Sequence, residues 1–239
     1  MTVLAIDTAT KVCSTALIQN DTLLAELSEV APQQHAELLL PFVEKVMNQA
    51  GKEVSMLDRI AVSIGPGSFT GLRIGLSVAK GIAVGAKIPV IPVPTMEAIA
   101  YNVFRLTADN IIVSVILPAR RHEYYYSRYR RSDEEPETVS AISVVQTDEL
   151  EAQLADNTDD VIAGEGIERL LEEIKSRTSQ TGQVIERINI ALDKKLNVST
   201  ASVTGLVSKY YDAVDASLVE PLYSKQFESG SARFKQKPE

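Results

Sequence analysis

Four short runs bring carboxylates, hydroxyls, guanidinium groups and unhindered backbone N–H groups close together along this chain. Asp7-Thr8-Ala9-Thr10 sets one carboxylate and two hydroxyls in a single turn. Such a set could hold a hydrated cation and exchange hydrogen bonds with a phosphate, the turn's N–H groups adding to the site. A hydrogen-bonded Asx turn needs the same residues and no ligand, and on residue types alone it weighs more. Gly65-Pro66-Gly67-Ser68 could cradle an anion at a helix N-terminus or dock the helix closely. No Gly-Lys-Ser/Thr follows, as a P-loop would require, which favours the close connection. Gly164-Glu165-Gly166 is a third glycine turn. It could approach a nucleotide base or ribose, although strand-to-helix geometry explains it as readily. Arg120, Arg121, Arg128, Arg130 and Arg131 interleave with Tyr124, Tyr125, Tyr126 and Tyr129, a composition used on single-stranded RNA. On a hairpin these residues alternate between two faces, and an arginine rim beside a half-buried tyrosine row is the better account. The two histidines, His35 and His122, have no visible companions for metal binding or base catalysis, and His35 reads as structural.

The elements that must position these runs follow from periodicity. Residues 3–6, 14–18 and 22–27 read as a three-stranded meander, and residues 36–50 as a helix with Leu39, Phe42, Val43, Val46 and Met47 at helical spacing. Pro41 suggests that this helix begins or kinks there. Ser55-Met56-Leu57-Asp58 has the form of a capping box before a strand at 60–62. The next helix, 69–85, is capped by Ser68 or Thr70 and carries only Arg73 and Lys80 as charges. Gly71, Gly75, Ala79 and Ala83 form a row of small residues that permits close helix approach. Because both helices are apolar over more than one face, one side is expected to meet the chain's own sheet and another a partner. A strand at 89–93 and a helix at 96–104 follow. A second unit repeats the opening with strands at 111–117, 123–129 and 139–145, helices at 148–155 and 167–175, and a strand at 161–163 running into the third glycine turn. The stretch 176–199 reads weakly, and a helix over 201–211 is expected to pack back on the first unit.

With 239 residues and 45% apolar composition, the chain can bury a sizeable core in two small domains, 1–107 and 108–227, before a flexible tail at 228–239. A net charge of −8 argues against tight unaided binding to a polyanion. One cysteine, Cys13, excludes an internal disulfide, and no leader precedes the first strand, so the cytoplasm is the expected compartment. Arg73 and Lys80 speak against a membrane span.

Taken together, the first strand with Asp7-Thr8-Ala9-Thr10, the run from Ala61 to Gly75, Ala119-Arg120-Arg121 and Gly164-Glu165-Gly166 resemble the TsaB (YeaZ) family of tRNA threonylcarbamoyladenosine biosynthesis, over residues 1 to about 227. The resemblance implies an α/β fold of two tandem actin-like, sugar-kinase and Hsp70 ATPase (RNase H-like) subdomains, mixed sheets flanked by helices. It also implies an accessory, non-catalytic subunit that dimerises with a TsaD-like catalytic subunit, works with a TsaE-like ATPase, forms a homodimer when alone, and meets tRNA through the complex. The partner interface is then expected at Leu39, Phe42, Val43, Val46, Gly71, Leu72, Gly75, Leu76 and Ala79. Weak nucleotide binding would use Asp7, Thr8, Thr10, Gly164 and Gly166; RNA contact, read from the hairpin's own composition, is expected at Arg120, Arg121 and Arg128. The His-x-x-x-His metal pair of TsaD-like subunits is matched here by Thr95 and Ile99, and Pro118 stands where the fold usually has an aspartate. No metal or cofactor is therefore expected on this chain, ATP and metal belonging to the partners. A small-molecule kinase or ATPase of the same fold is the rival reading. A peptidase lacks its parts, with no His-Glu-x-x-His and two scattered histidines.

Overall fold

The computed structural model describes residues 1–107, 111–132, 135–177, 189–190 and 199–222. The expected tail, and most of the weakly patterned stretch before residue 199, lie outside the described residues.

In the first unit, β1 (Thr2–Asp7), β2 (Val12–Gln19) and β3 (Thr22–Val30) form the antiparallel meander, and β4 (Arg59–Gly65) and β5 (Val90–Pro94) add in parallel. The sheet order is β3-β2-β1-β4-β5. Every residue of β1 is buried, as a central strand covered on both faces requires. Strand alternation sends its side chains to two different layers. Ala5 faces α6 (Ala201–Val207), where Gly205 lies against it and against Ile18, while Ile6 faces α2 (Phe69–Ala86) beside Gly75.

Helix α1 (His35–Gln49) packs Leu39, Phe42, Val43, Val46 and Met47 inward, mainly against β2 and β3. It begins at His35 and runs through Pro41, so the helix does not start at the proline. Pro41 and Glu37 both lie on the exposed face, so the carbonyl that loses its helical partner has water at hand. The expected capping box before β4 does not form: the Asp58 carboxylate instead accepts the Thr2 N–H. Ser68 caps α2, its hydroxyl accepting the Gly71 N–H at 3.1 Å. At the other end Lys87 takes a left-handed conformation and its N–H returns to the last turn. By length and apolar composition α2 could cross a bilayer; its inner side packs on β4 and β1.

The chain divides inside α3 (Thr95–Phe104), after Ala98, rather than after residue 107. Residues from Ser199 to Leu222 belong with the first unit, α6 lying on β1 and β2.

The second unit contains β6 (Ile112–Pro118), β7 (Glu123–Ser132), β8 (Glu135–Gln146), α4 (Thr147–Asp156), β9 (Val161–Ala163), α5 (Gly166–Arg177) and β10 (Asn189–Ile190). Its sheet order, β8-β7-β6-β9-β10, repeats that of the first: an antiparallel meander, then parallel additions. This repetition gives the two expected tandem subdomains, each a mixed sheet flanked by helices. Helices α4 and α5 close a core of Ile116, Tyr124, Tyr126, Leu150, Ile162 and Leu170. The register of β7 with β6 is unbroken and the irregular pairing adds its extra residues to β8, so Tyr129 lies on the face opposite Tyr124 and Tyr126 and is buried there.

Candidate functional site

Asp7 is the last residue of β1 and is fully buried. Alternation points its side chain to the α6 layer. There one carboxylate oxygen accepts the hydroxyls of Ser199 and Thr204, the latter at 2.7 Å, and the other accepts the Ala9 N–H at 3.1 Å. Burial raises the carboxyl above its ordinary range, and these three donors work against that rise. Burial also pushes the Cys13 thiol up to about 11, with Asp7 and Glu29 adding to the effect.

Thr8, one residue on, points the opposite way. Its hydroxyl donates to the Gly71 carbonyl at 2.8 Å, and the Ser68 N–H donates to the Ala9 carbonyl at 2.7 Å. The start of α2 is thus seated directly on the turn. A Cβ at Gly71 would fall 2.1 Å from the Thr8 carbonyl oxygen, and one at Gly75 2.3 Å from the Thr8 hydroxyl. The glycine run provides close approach, and the Thr10 hydroxyl is used locally, accepting the Val12 N–H at 3.2 Å.

This geometry corrects the expected phosphate turn. Asp7, Thr8 and Thr10 do not converge on one site, because they are split between two layers, are buried, and have their polar atoms bonded within the chain. The residues do not fit a nucleotide's phosphates or its cation. Gly164 and Gly166 are likewise spent on packing. Gly164 has φ +119°, and a Cβ there would lie 2.1 Å from the Ile116 carbonyl oxygen, while one at Gly166 would meet the Ile116 side chain at 2.7 Å.

Thr95 and Ile99, at the matched positions of the metal pair, are both fully buried on α3, and the Thr95 hydroxyl accepts the Gly65 N–H at 3.2 Å. Of the three arginines expected at RNA, Arg128 is committed elsewhere: it makes two hydrogen bonds, at 2.7 and 3.0 Å, to the buried Asp160, which also accepts the Ser114 hydroxyl. Arg120 and Arg121 are exposed on the turn between β6 and β7. Beside them Glu173 accepts from Thr147 at 2.6 Å and from Arg169 at 2.9 Å, with His122 Nδ1 at 3.4 Å. Burial alone would raise Glu173, but the hydrogen bonds from Thr147 and Arg169, with His122 close by, outweigh it and hold the carboxyl at about 2.

The expected partner face is also corrected. Leu39, Phe42, Val43 and Val46 of α1 and Gly71, Leu72, Gly75, Leu76 and Ala79 of α2 are buried within the chain. They form the stripes that meet the sheet, the ordinary fate of the most regular apolar spacing on a helix. Only six of the eighteen residues of α2 are buried. Its outward side carries Phe69 and Val84, 54% and 69% exposed, with Ile74 and Val78 half-buried between them. Leu40, 52% exposed, stands on the outer side of α1. Sequence reasoning also missed Ser199 and Thr204, for which the hydroxyl-rich run at 199–204 was the available signal.

Comparison with known proteins gives a consistent picture. The family model described as TsaD, tRNA N6-adenosine threonylcarbamoyltransferase, matches residues 25–221. The tRNA threonylcarbamoyladenosine biosynthesis protein TsaB of Escherichia coli is 38% identical over 133 residues, 56% of this chain and 57% of that protein. The protein of the same name from Bacillus subtilis is 35% identical over 130 residues, 54% and 56% of the two chains. The chain thus spans little more than half the length of these curated relatives. The solved structure of YeaZ from Pseudomonas aeruginosa superposes with a TM-score of 0.74 at 27% identity, covering 93% of this chain and 99% of that one.

Proposed function

The chain belongs to the tRNA N6-adenosine threonylcarbamoyltransferase (TsaD) family, among its TsaB (YeaZ) relatives, and on that premise we propose that it is an accessory, non-catalytic subunit. The complex it serves transfers threonylcarbamoyl to the adenosine beside the anticodon of tRNAs that read codons beginning with adenine. Its part is to bind and support a TsaD-like catalytic subunit in the cytoplasm. A TsaE-like ATPase joins the pair, ATP and metal are held by the partners, and a second copy of the chain takes the catalytic subunit's place when that subunit is absent.

The observation that carries this reading is the outward side of α2, where Ile74 and Val78 are half-buried and Val84 is exposed among the described residues, with Arg73 lying over the exposed Phe69 ring. Covering Phe69, Ile74, Val78 and Val84 would contribute about 1.5 to 3 kcal/mol for each side chain fully buried, set against the cost of association. The closed Asp7 turn supports the non-catalytic half of the reading, since the Asp7 carboxylate is buried and bonded within the chain.

The test is co-purification with a coexpressed TsaD-like subunit. Ile74→Asp/Val78→Asp should leave the chain folded by circular dichroism and reduce recovered partner by more than about tenfold. Leu76→Asp, which puts a charge into the core, should instead unfold it. A folded double variant that retains partner at the wild-type yield would overturn the proposal.

A further inference from the structure

The arginine-rich run of the second unit separates into two populations. Arg128 is paired with Asp160 and Arg130 with Glu137. Arg120 and Arg121 are exposed and have no carboxylate partner among the described residues. They stand side by side on the turn between β6 and β7, whose backbone is fixed from several directions. The Ala119 N–H donates to the Glu123 carbonyl at 3.0 Å, and the Glu123 N–H to the Arg120 carbonyl at 3.2 Å. The same Arg120 carbonyl accepts the Arg169 guanidinium at 2.7 Å, and the His122 carbonyl accepts the Thr147 N–H at 3.1 Å. Arg169 is in turn bonded to Glu173 at 2.9 Å and lies over the Tyr124 ring, 5.0 Å from its centre.

A rigid turn that displays two uncommitted guanidinium groups has little backbone freedom left to lose on binding. Two cations on consecutive residues suit a ligand with repeated anions better than a single small anion. The chain as a whole carries a net charge of −8, so these cations are not part of a generally basic surface. Between residues 111 and 132 no large hydrophobic side chain is exposed. A protein partner would want an apolar centre there, whereas a nucleic-acid interface is polar and cationic.

We propose that the β6–β7 turn is a phosphate-backbone contact for the tRNA on which the complex acts, an assignment that rests on the accessory-subunit reading above. Contacts of this kind position an RNA without reading its sequence. The turn would therefore act on orientation and affinity for tRNAs in general.

The test uses the full chain assembled with its TsaD-like partner and measures binding of labelled tRNA by fluorescence anisotropy across a potassium chloride series from about 50 to about 200 mM. Arg120→Ala/Arg121→Ala should lower affinity about tenfold and make the dependence of log K on log salt shallower by about 1 to 2, with partner recovery unchanged. Lys45→Ala/Lys52→Ala, which removes the same charge from the first unit, should behave as wild type. The assignment alone is overturned if the complex forms and the arginine variant binds with wild-type affinity and slope, or if the lysine variant loses as much. Failure of the wild-type chain to recover its partner overturns both this assignment and the reading beneath it.

Discussion

Asp7 shows how far a single side chain can depart from the role its neighbours in sequence suggest. It has three donors, no exposed surface and a pKa raised mainly by burial. An amide at this position can still accept the Ala9 N–H and donate to the two hydroxyls, which also have lone pairs. Asp7→Asn should therefore change the urea-unfolding free energy by less than about 1 kcal/mol, while Asp7→Ala, which orphans the buried donors, should cost about 2 to 4 kcal/mol. Transfer by the reconstituted complex should stay within about twofold of wild type for Asp7→Asn, and loss of transfer with assembly intact would give the carboxylate a catalytic part. The carboxylate itself was visible in the sequence. Its engagement was not, because Ser199 and Thr204 lie 192 and 197 positions away, and a hydroxyl carries no mark of the acceptor it will find. Arg128 is a similar case, its partner Asp160 being 32 positions downstream.

At the scale of elements, most strands and helices were legible to within a few residues, because alternation and helical spacing are local. The inward face of α2 was not. On a helix apolar nearly all round, the row Gly71, Gly75, Ala79 and Ala83 serves equally well against a sheet or a partner. The usable clue was polar: Arg73 and Ser77 are both exposed, four apart, on the side away from Leu72, Leu76 and Ala79. The two environments predict opposite effects for the same substitution. Gly71→Ala drives a Cβ against the Thr8 carbonyl at 2.1 Å and should cost more than about 2 kcal/mol. Gly81→Ala, with nothing within 4 Å, should stabilise by up to about 1 kcal/mol through helix propensity. Thermal unfolding of the two variants measures both. A neutral Gly71→Ala would mean that α2 does not sit on the turn.

The whole molecule joins two units whose key carboxylates respond to acid in opposite senses. Glu173 is held at about 2, against about 4.5 when unconstrained, so its contribution is complete above about pH 4.5 and is lost as pH falls toward about 2. After screening by solvent that contribution is about 1 to 2 kcal/mol. Asp7 is raised, so its buried charge is a cost at neutral pH that protonation removes. Acid should accordingly loosen the second unit first. Hydrogen exchange at about pH 3 and about pH 6, corrected for intrinsic rates, should show α5 and β7 losing protection relative to β1, and Glu173→Gln should abolish the difference. The repeated strand order was legible because each half opens with the same meander. The membership of residues 199–222 was less so, since no local pattern states which sheet a distant helix will cover. That membership has a consequence for synthesis. While a ribosome is still making the second half, the first half has its central strand ending in a buried acid without the hydroxyls that satisfy it. The nascent amino-terminal region must then wait, incompletely closed, until Ser199 and Thr204 have emerged, a long interval in which a chaperone could occupy it.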